Sequence, residues 1–473
     1  MYEDFRKEGC TVKKTNDFGK DPIPVLVLKV SVPFMFAQFV NVLYSIVDRI
    51  YIGNIPVIGG DSLAGAGVCA PIITLLSSFG TWIGIGGSVL FSIRLGAEDR
   101  KGAERILATS FSMLIGLSLV LTVVFLLCKE RLLWWFGASE ATFGYADTYL
   151  TIYTMGTFFA LLSMGMNYFI TAQGYPFLGM ATTLIGAVIN IVLDPVFIFL
   201  FHMDIAGAAI ATVMAQMASC AFVVRTLKSK RMKIPVCLKK PEQALGKQIL
   251  AIGFSPFLIL ATDSLIIIAL NAVLQYYGGA GYGDTLITAA TIVQSYMLLI
   301  TSPMLGVTSG SQPLISFNYG AGKPKRIRQT VFWVLLLCIG FTATMFFVSR
   351  MLPQYFVRIF TGVKEYQELA VWGIQVFTMM IIPLSFQYVF VDALTALGMT
   401  KVSLGLSLLR KSLYLGATCV LPFFFAARAA FYAEPTADVL SAMVTSACFL
   451  IIYKKYLSRE GHLPGAGKER RSV

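Results

Sequence analysis

The sequence predicts an all-α integral membrane protein, with 12 transmembrane helices in two six-helix bundles related by a pseudo-two-fold along the membrane normal. Three observations carry that prediction. The first is composition. Of 473 residues, 56% are hydrophobic and 13% charged, with a mean hydropathy of +0.74, whereas a soluble globular chain carries about 25% charged residues. So few charges cannot cover a water-facing surface, which excludes a soluble enzyme, a disordered chain and a fibrous one. The second is the form of the apolar segments. They are long and continuous, matching the roughly 20 residues a helix needs to cross a bilayer, not the alternating stretches of about 10 residues of a transmembrane β-barrel. The third is an internal repeat. Pro33-Phe34 recurs as Pro256-Phe257, Arg94-Leu-Gly-Ala97 as Asn318-Tyr-Gly-Ala321, Phe136 as Phe360, and Ala172-Gln-Gly174 as Ala396-Leu-Gly398, at offsets of 223 to 224 residues. Six spans return the chain to its starting side, so the halves are parallel repeats, and transporters of this build hold substrate between them.

In order, the polar stretch Met1–Lys20 lacks the apolar core of a cleaved signal peptide. A tail is therefore expected over residues 1–24. Helical spans follow near 25–52, 66–93, 105–128, 147–172, 177–201 and 206–226, giving a first lobe over 25–227. A basic linker occupies 228–247. The second lobe, 248–456, holds spans near 248–276, 285–316, 327–349, 367–397, 402–426 and 430–456, and a second tail covers 457–473. Several spans exceed a bilayer crossing, so they must tilt, kink or project. Pro33, Pro256, Pro303, Pro313 and Pro383 fall inside them as natural kink points.

The net charge of +13 would suggest nucleic acid in a soluble protein. Sorted by side, 29 of the 38 Lys and Arg fall in the tails and in the loops after even-numbered spans, against 7 on the other side, with Arg410 and Lys411 inside a span. That asymmetry is a positive-inside signal and places both termini in the cytoplasm. No nucleic-acid partner is needed to explain the charge.

Eight cysteines are scattered, mostly in apolar stretches, without a CxxC pair, and read as small buried apolar residues. The two histidines, His202 and His462, are too few for a zinc site or a catalytic Ser-His or Cys-His pair in the core. Catalysis is poorly supplied, so no enzyme activity is expected.

A carboxylate in lipid costs several kcal/mol, so each one needs a reason. Four aspartates are read within spans: Asp48, Asp194, Asp263 and Asp392. Asp48 and Asp194 lie toward the outer ends of two outward-running helices, at similar depth. Asn190 is four residues before Asp194 and shares its face. Thr212, early in the next helix, is at the same height. Two carboxylates, an amide and a hydroxyl can hold a shared proton or, through oxygen ligands, a sodium ion. The bland readings are an interfacial Asp48 beside Arg49 and a turn aspartate before Pro195. Asp263 and Asp392 have no adjacent cation in sequence, and buried hydrogen bonding is their plain alternative, as an interhelical hydrogen bond is for Asn167. Gly84, Gly86, Gly87, Gly306 and Gly310 read as close helix-packing positions. Aromatic and Met residues mostly pack or face lipid, with a minority lining an adaptable cavity.

At these residues the chain resembles the multidrug and toxic compound extrusion (MATE) family. The matching pieces are Val47-Asp48-Arg-Ile-Tyr-Ile-Gly53, Leu95-Gly96-Ala97, Ala172-Gln-Gly174, Asn190-Ile-Val-Leu-Asp194-Pro195, Gly207-Ala-Ala-Ile-Ala-Thr212 and Asn318-Tyr-Gly-Ala321. The resemblance runs from about Val25 to Tyr456. It implies a secondary antiporter of the cytoplasmic membrane that exports organic cations and amphipathic compounds by alternating access. The coupling ion is H+ or Na+, with no other cofactor. It implies an ion-coupling site at Asp48, Asn190, Asp194 and Thr212, a bending proline at Pro33, and Tyr44 beside the site. Asn167 lines the same half. Asp263 and Asp392 resemble second-lobe carboxylates used by other members, although Asp263 replaces what is often a glutamate. The expected partners are small amphipathic or cationic molecules and membrane lipids, with the chain acting as a monomer. The competing readings are a lipid-linked saccharide flippase of the same wider superfamily, an intramembrane enzyme, and a channel. A flippase cavity would carry more cations than Arg410 and Lys411, and no charged or carbonyl-lined filter is apparent.

Overall fold

The computed structural model describes residues 17–454, apart from residues 57, 137, 139, 280, 281, 361 and 362. The side chains of residues 59–61, 64, 141, 263–265, 267, 268 and 284 also lie outside the described set, and of the two expected tails only residues 17–24 are described. The described chain is helical. Twelve helices are long and apolar enough to cross a membrane, making this a multi-pass membrane protein.

The first lobe contains α1 (Ile23–Gly53), α2 (Gly59–Gly96), α3 (Arg100–Trp135), α4 (Glu140–Ala172), α5 (Pro176–Pro195) and α6 (Asp204–Lys228). The second contains α7 (Gln243–Gly278), α8 (Tyr282–Gly320), α9 (Pro324–Met351), α10 (Pro353–Phe360), α11 (Lys364–Phe377), α12 (Ile381–Ala396), α13 (Thr400–Phe425) and α14 (Ala433–Ile452). The expected spans are all present, but nearly all are longer than their apolar cores. Polar turns such as Arg100–Arg105 continue the helix into the membrane interface, where side chains reach water and hydropathy no longer marks the end.

Four departures from the expected spans are local. The tenth span is broken into α11 and α12 by a tight turn over Thr378–Met380. Pro383 follows in the first turn of α12, where it has no N–H to return to the Met379 carbonyl. The short α10, with Tyr355 and Ile359 exposed, was not anticipated, since eight residues carry too weak a period. The twelfth span begins with a tight helical turn over Ala427–Tyr432. The proline after Asp194 has a similar effect, since α5 ends there and a wide turn, Val196–Leu200, leads to α6.

Within the first lobe, α2 packs on α4, α4 on α6, and α1 and α6 on α5; within the second, α13 packs on α14 and α7, and α12 on α14 and α9. The lobes meet where α1 crosses α8 and α2 crosses α7 and α8. The crossing carries the sequence repeat into three dimensions. A Cβ on Gly96 would run into the Phe317 carbonyl, and one on its counterpart Gly320 into the Ile93 carbonyl. Gly86 faces Ile249 and Gly253 of α7, while its counterpart Gly310 faces Val30 and Phe34 of α1. These glycine contacts let backbone lie on backbone. They lie toward the end of the bundle that carries the basic loops.

That end is also strapped. Arg326 donates through Nη2 to the carbonyls of Phe18 and Asp21, at 2.9 and 2.7 Å, tying the segment before α1 to the second lobe. The inter-lobe linker lies on the first lobe. Ile234 N donates to Gln173 Oε1 at 2.9 Å, and the Tyr175 hydroxyl donates to the Arg231 carbonyl at 2.6 Å. Lys239, beside Glu104 at 2.7 Å, has its amine held above the usual lysine range by that carboxylate.

Candidate functional site

The carboxyls of Asp48 and Asp194 lie within hydrogen-bonding reach of each other. Helix α1 places Asp48 five residues before its last residue, Gly53, and the stop at Pro195 leaves Asp194 at the end of α5. Asp194 is fully buried. Asn190 Nδ2 donates to Asp194 Oδ1 at 3.1 Å and to Thr212 Oγ1 at 3.3 Å. The four residues singled out from spacing and resemblance therefore converge. Arg49, next to Asp48, is exposed, and neither carboxyl is bonded to a cation among the described residues.

The electrostatics follow from this placement. Two ionised carboxylates offer only acceptors, so the pair is frustrated until a proton or a cation joins it. Asp48 Oδ1, Asp194 Oδ2 and Asn190 Oδ1 are buried and find no donor among the described residues. Because Asn190 Nδ2 is committed to Asp194, turning the amide would only set oxygen against oxygen. The free atoms are all hard oxygens, which fits H+ or Na+ and not a soft metal.

Sequence reasoning missed the wall around this pair. Tyr149 and Tyr153, both 6% exposed on α4, close over it. Tyr149 reaches Thr212, and Tyr153 reaches Ser77 and Gln216. Their spacing of four residues, and that of Thr212 and Gln216, were available signals, hidden because tyrosine and glutamine also serve ordinary helix packing. Tyr44, expected beside the site from the resemblance alone, faces both aspartates.

Inward of the pair is a cavity of about 230 Å³ within the first lobe. Gln38, Asn41, Tyr44, Tyr153, Asn167 and Asn190 line it, with Met164 and Met180. Asn167 Nδ2 donates to the Gly179 carbonyl at 3.2 Å, so its interhelical bond is real, and its Oδ1 is left unpartnered. Pro33 does not line the cavity. It is buried inside α1, next to Phe34, whose ring lies 6.4 Å from that of Tyr168.

The remaining candidates sit apart. Asp392 on α12 bonds Thr308 and Gln312 of α8. Asp263 belongs to α7, and its side chain lies outside the described residues. The reading of four intramembrane aspartates needs correction. Asp438, 0% exposed on α14, and Glu434 one turn before it also lie within a span, both bonded to Arg410.

Comparison with known proteins finds relatives over most of the chain. The MatE family model matches residues 33–196 and 260–421. A multidrug export protein MepA of Staphylococcus aureus is 25% identical over 443 residues, covering 92% of this chain and 95% of the relative. A MepA of Staphylococcus haemolyticus is 27% identical over 364 residues, covering 76% and 78%. Among solved structures, the outward-facing conformation of a multidrug resistance MATE family transporter of the MOP superfamily superposes with a TM-score of 0.86. It is 20% identical, over 94% of this chain and 99% of that one.

Proposed function

The chain belongs to the MatE family, and from that premise we propose that it is a secondary multidrug exporter that moves amphipathic and cationic compounds out of the cell in exchange for inward H+ or Na+. The single observation that carries the coupling is the facing Asp48–Asp194 pair, with Asp194 fully buried, Asp48 partly buried and no cation bonded to either among the described residues. An ion entering from the outer side joins the two carboxyls and removes their repulsion. Asn190 and Thr212 orient the pair, so the gain depends on geometry held by three helices.

Occupancy is felt in the cavity because Tyr44, Asn190 and Thr212 belong to both sites. Closing the carboxyls draws α1 toward α5, and Pro33 lets the inner part of α1 stay in place while its outer part moves. The cavity narrows and the drug leaves. The lobes then rock about the α1–α8 and α2–α7 crossings, and the ion escapes on the other side. The ion and the drug need only differ in affinity for the two states. The basic loops and both termini face the cytoplasm in this reading, supported by the charge asymmetry of 29 to 7.

The test is efflux of a fluorescent cation from energised vesicles, with proton and sodium gradients imposed separately. Asp48→Asn and Asp194→Asn should abolish gradient-driven export. Full export by either variant would refute the site.

A further inference from the structure

The second lobe holds a cluster of buried charges that this cycle does not use. Arg410 on α13 donates through Nε to Asp438 Oδ1 at 3.0 Å, and through Nη2 to Asp438 Oδ1 at 2.8 Å and Glu434 Oε1 at 2.6 Å. The three side chains are 11, 0 and 15% exposed for Arg410, Asp438 and Glu434. Lys411 faces both carboxylates. Tyr388 of α12 and Tyr414 of α13 close around the group, and Tyr388 also faces Asp392. Two cations and two carboxylates cancel.

The internal repeat shows what this cluster stands in for. The 223–224 residue offset carries Asp48, Asn190, Asp194 and Thr212 onto Asn271, Tyr414, Thr418 and Thr436, all uncharged. Tyr414 is one turn from Arg410 and packs on Ala433 and Ala437. Thr436 lies between Glu434 and Asp438 on α14. The second lobe thus carries a carboxylate pair on α14, flanking Thr436, the counterpart of Thr212, and binds it to a cation of its own. A guanidinium stays protonated under all working conditions and grips carboxylates through several donors at once, so it holds this charge through the whole cycle.

We propose that Arg410 is a tethered counter-cation that takes the place of a mobile ion at the Glu434–Asp438 pair, removing that pair from ion exchange and setting the number of ions moved per cycle. This rests on the reading of Asp48 and Asp194 as the coupling pair. Arg410→Met leaves Lys411, Glu434 and Asp438, a net negative site open to the coupling ion. Arg410→Met with Asp438→Asn leaves one cation and one carboxylate, again neutral.

The experiment uses the full chain in proteoliposomes and measures dye efflux against the concentration of the coupling ion. The Hill coefficient should be about 1 for the native chain, rise toward about 2 for Arg410→Met, and return to about 1 for the double variant. A purely structural role for Arg410 would lower the rate without changing this order. An unchanged order in Arg410→Met overturns the proposal. If that variant does not fold, the double variant decides. Native order and efflux uphold the proposal, and lost coupling overturns it, because the cluster itself would then carry the ion. Asp48→Asn in the same vesicles separates the two readings. Coupling retained there refutes the first-lobe site, whereas an unchanged order in Arg410→Met with coupling lost in Asp48→Asn refutes only the role of Arg410.

Discussion

In the first lobe, Asp48 and Asp194 face each other, and among the described residues no cation is bonded to either and Asp48 Oδ1 and Asp194 Oδ2 find no donor. In the second, Glu434 and Asp438 are gripped by Arg410, and the positions equivalent to the first pair are Asn271 and Thr418. The backbone repeat is close enough to place Gly96 and Gly320 on matching carbonyls, so the two lobes share their crossing and differ in charge at these positions. The lesson is that a duplicated scaffold can leave one carboxylate pair open to an ion and bind another to a cation of its own. A carboxylate pair without a cation is unstable without an ion and therefore responsive to it. A pair held by a guanidinium already has its charge compensated.

The contrast breaks most decisively at Asp194. Asp194→Asn should cut gradient-driven dye export about 100-fold, because the ion no longer distinguishes the two states. Thr418→Ala, its counterpart, should stay within about threefold, the loss of one hydrogen bond to the Tyr414 carbonyl. Comparable losses at both would erase the distinction between the lobes.

Stability sharpens it from the other side. Arg410→Met strands two buried carboxylates and should destabilise the detergent-purified protein by about 3–5 kcal/mol, read as a lower melting temperature. Arg49→Met, beside the first pair but exposed, should leave melting unchanged. The glycine crossings test the symmetry that the lobes still share. Gly96→Val and Gly320→Val each push a side chain into a backbone carbonyl of the other lobe, so both should reduce efflux by a similar factor, about tenfold. Gly116→Ala, where a Cβ meets open space, should be neutral or stabilise by up to about 1 kcal/mol. A modest effect is expected at Asn167. Asn167→Ala loses the bond to Gly179, about 1 kcal/mol, with a few-fold change in efflux.

Much of this was legible in the chain. Hydropathy located all twelve spans, because each must be apolar along its full crossing. The repeat paired Gly96 with Gly320 before any contact was known. Asn190 and Asp194 declared their shared face through a spacing of four. The Arg410 cluster was harder to read, although its three residues lie inside the expected eleventh and twelfth spans. Glu434 and Asp438 look like a polar helix start, and Arg410 lies a helix away in sequence, so nothing local reveals that the charges cancel. Tyr149 and Tyr153 were obscured for a related reason. Aromatic residues at helical spacing serve packing throughout such a chain, and only their neighbours distinguish these two.

Composition and the internal repeat by themselves determined that this protein is a helical membrane protein made of two similar halves. Those properties depend on the solvent around each segment, and a segment's own residues report its solvent. The tertiary structure decided which carboxylates are paired with a cation and which are paired with each other. That outcome depends on distances between helices remote in sequence, and electrostatics at membrane depth turns on those distances.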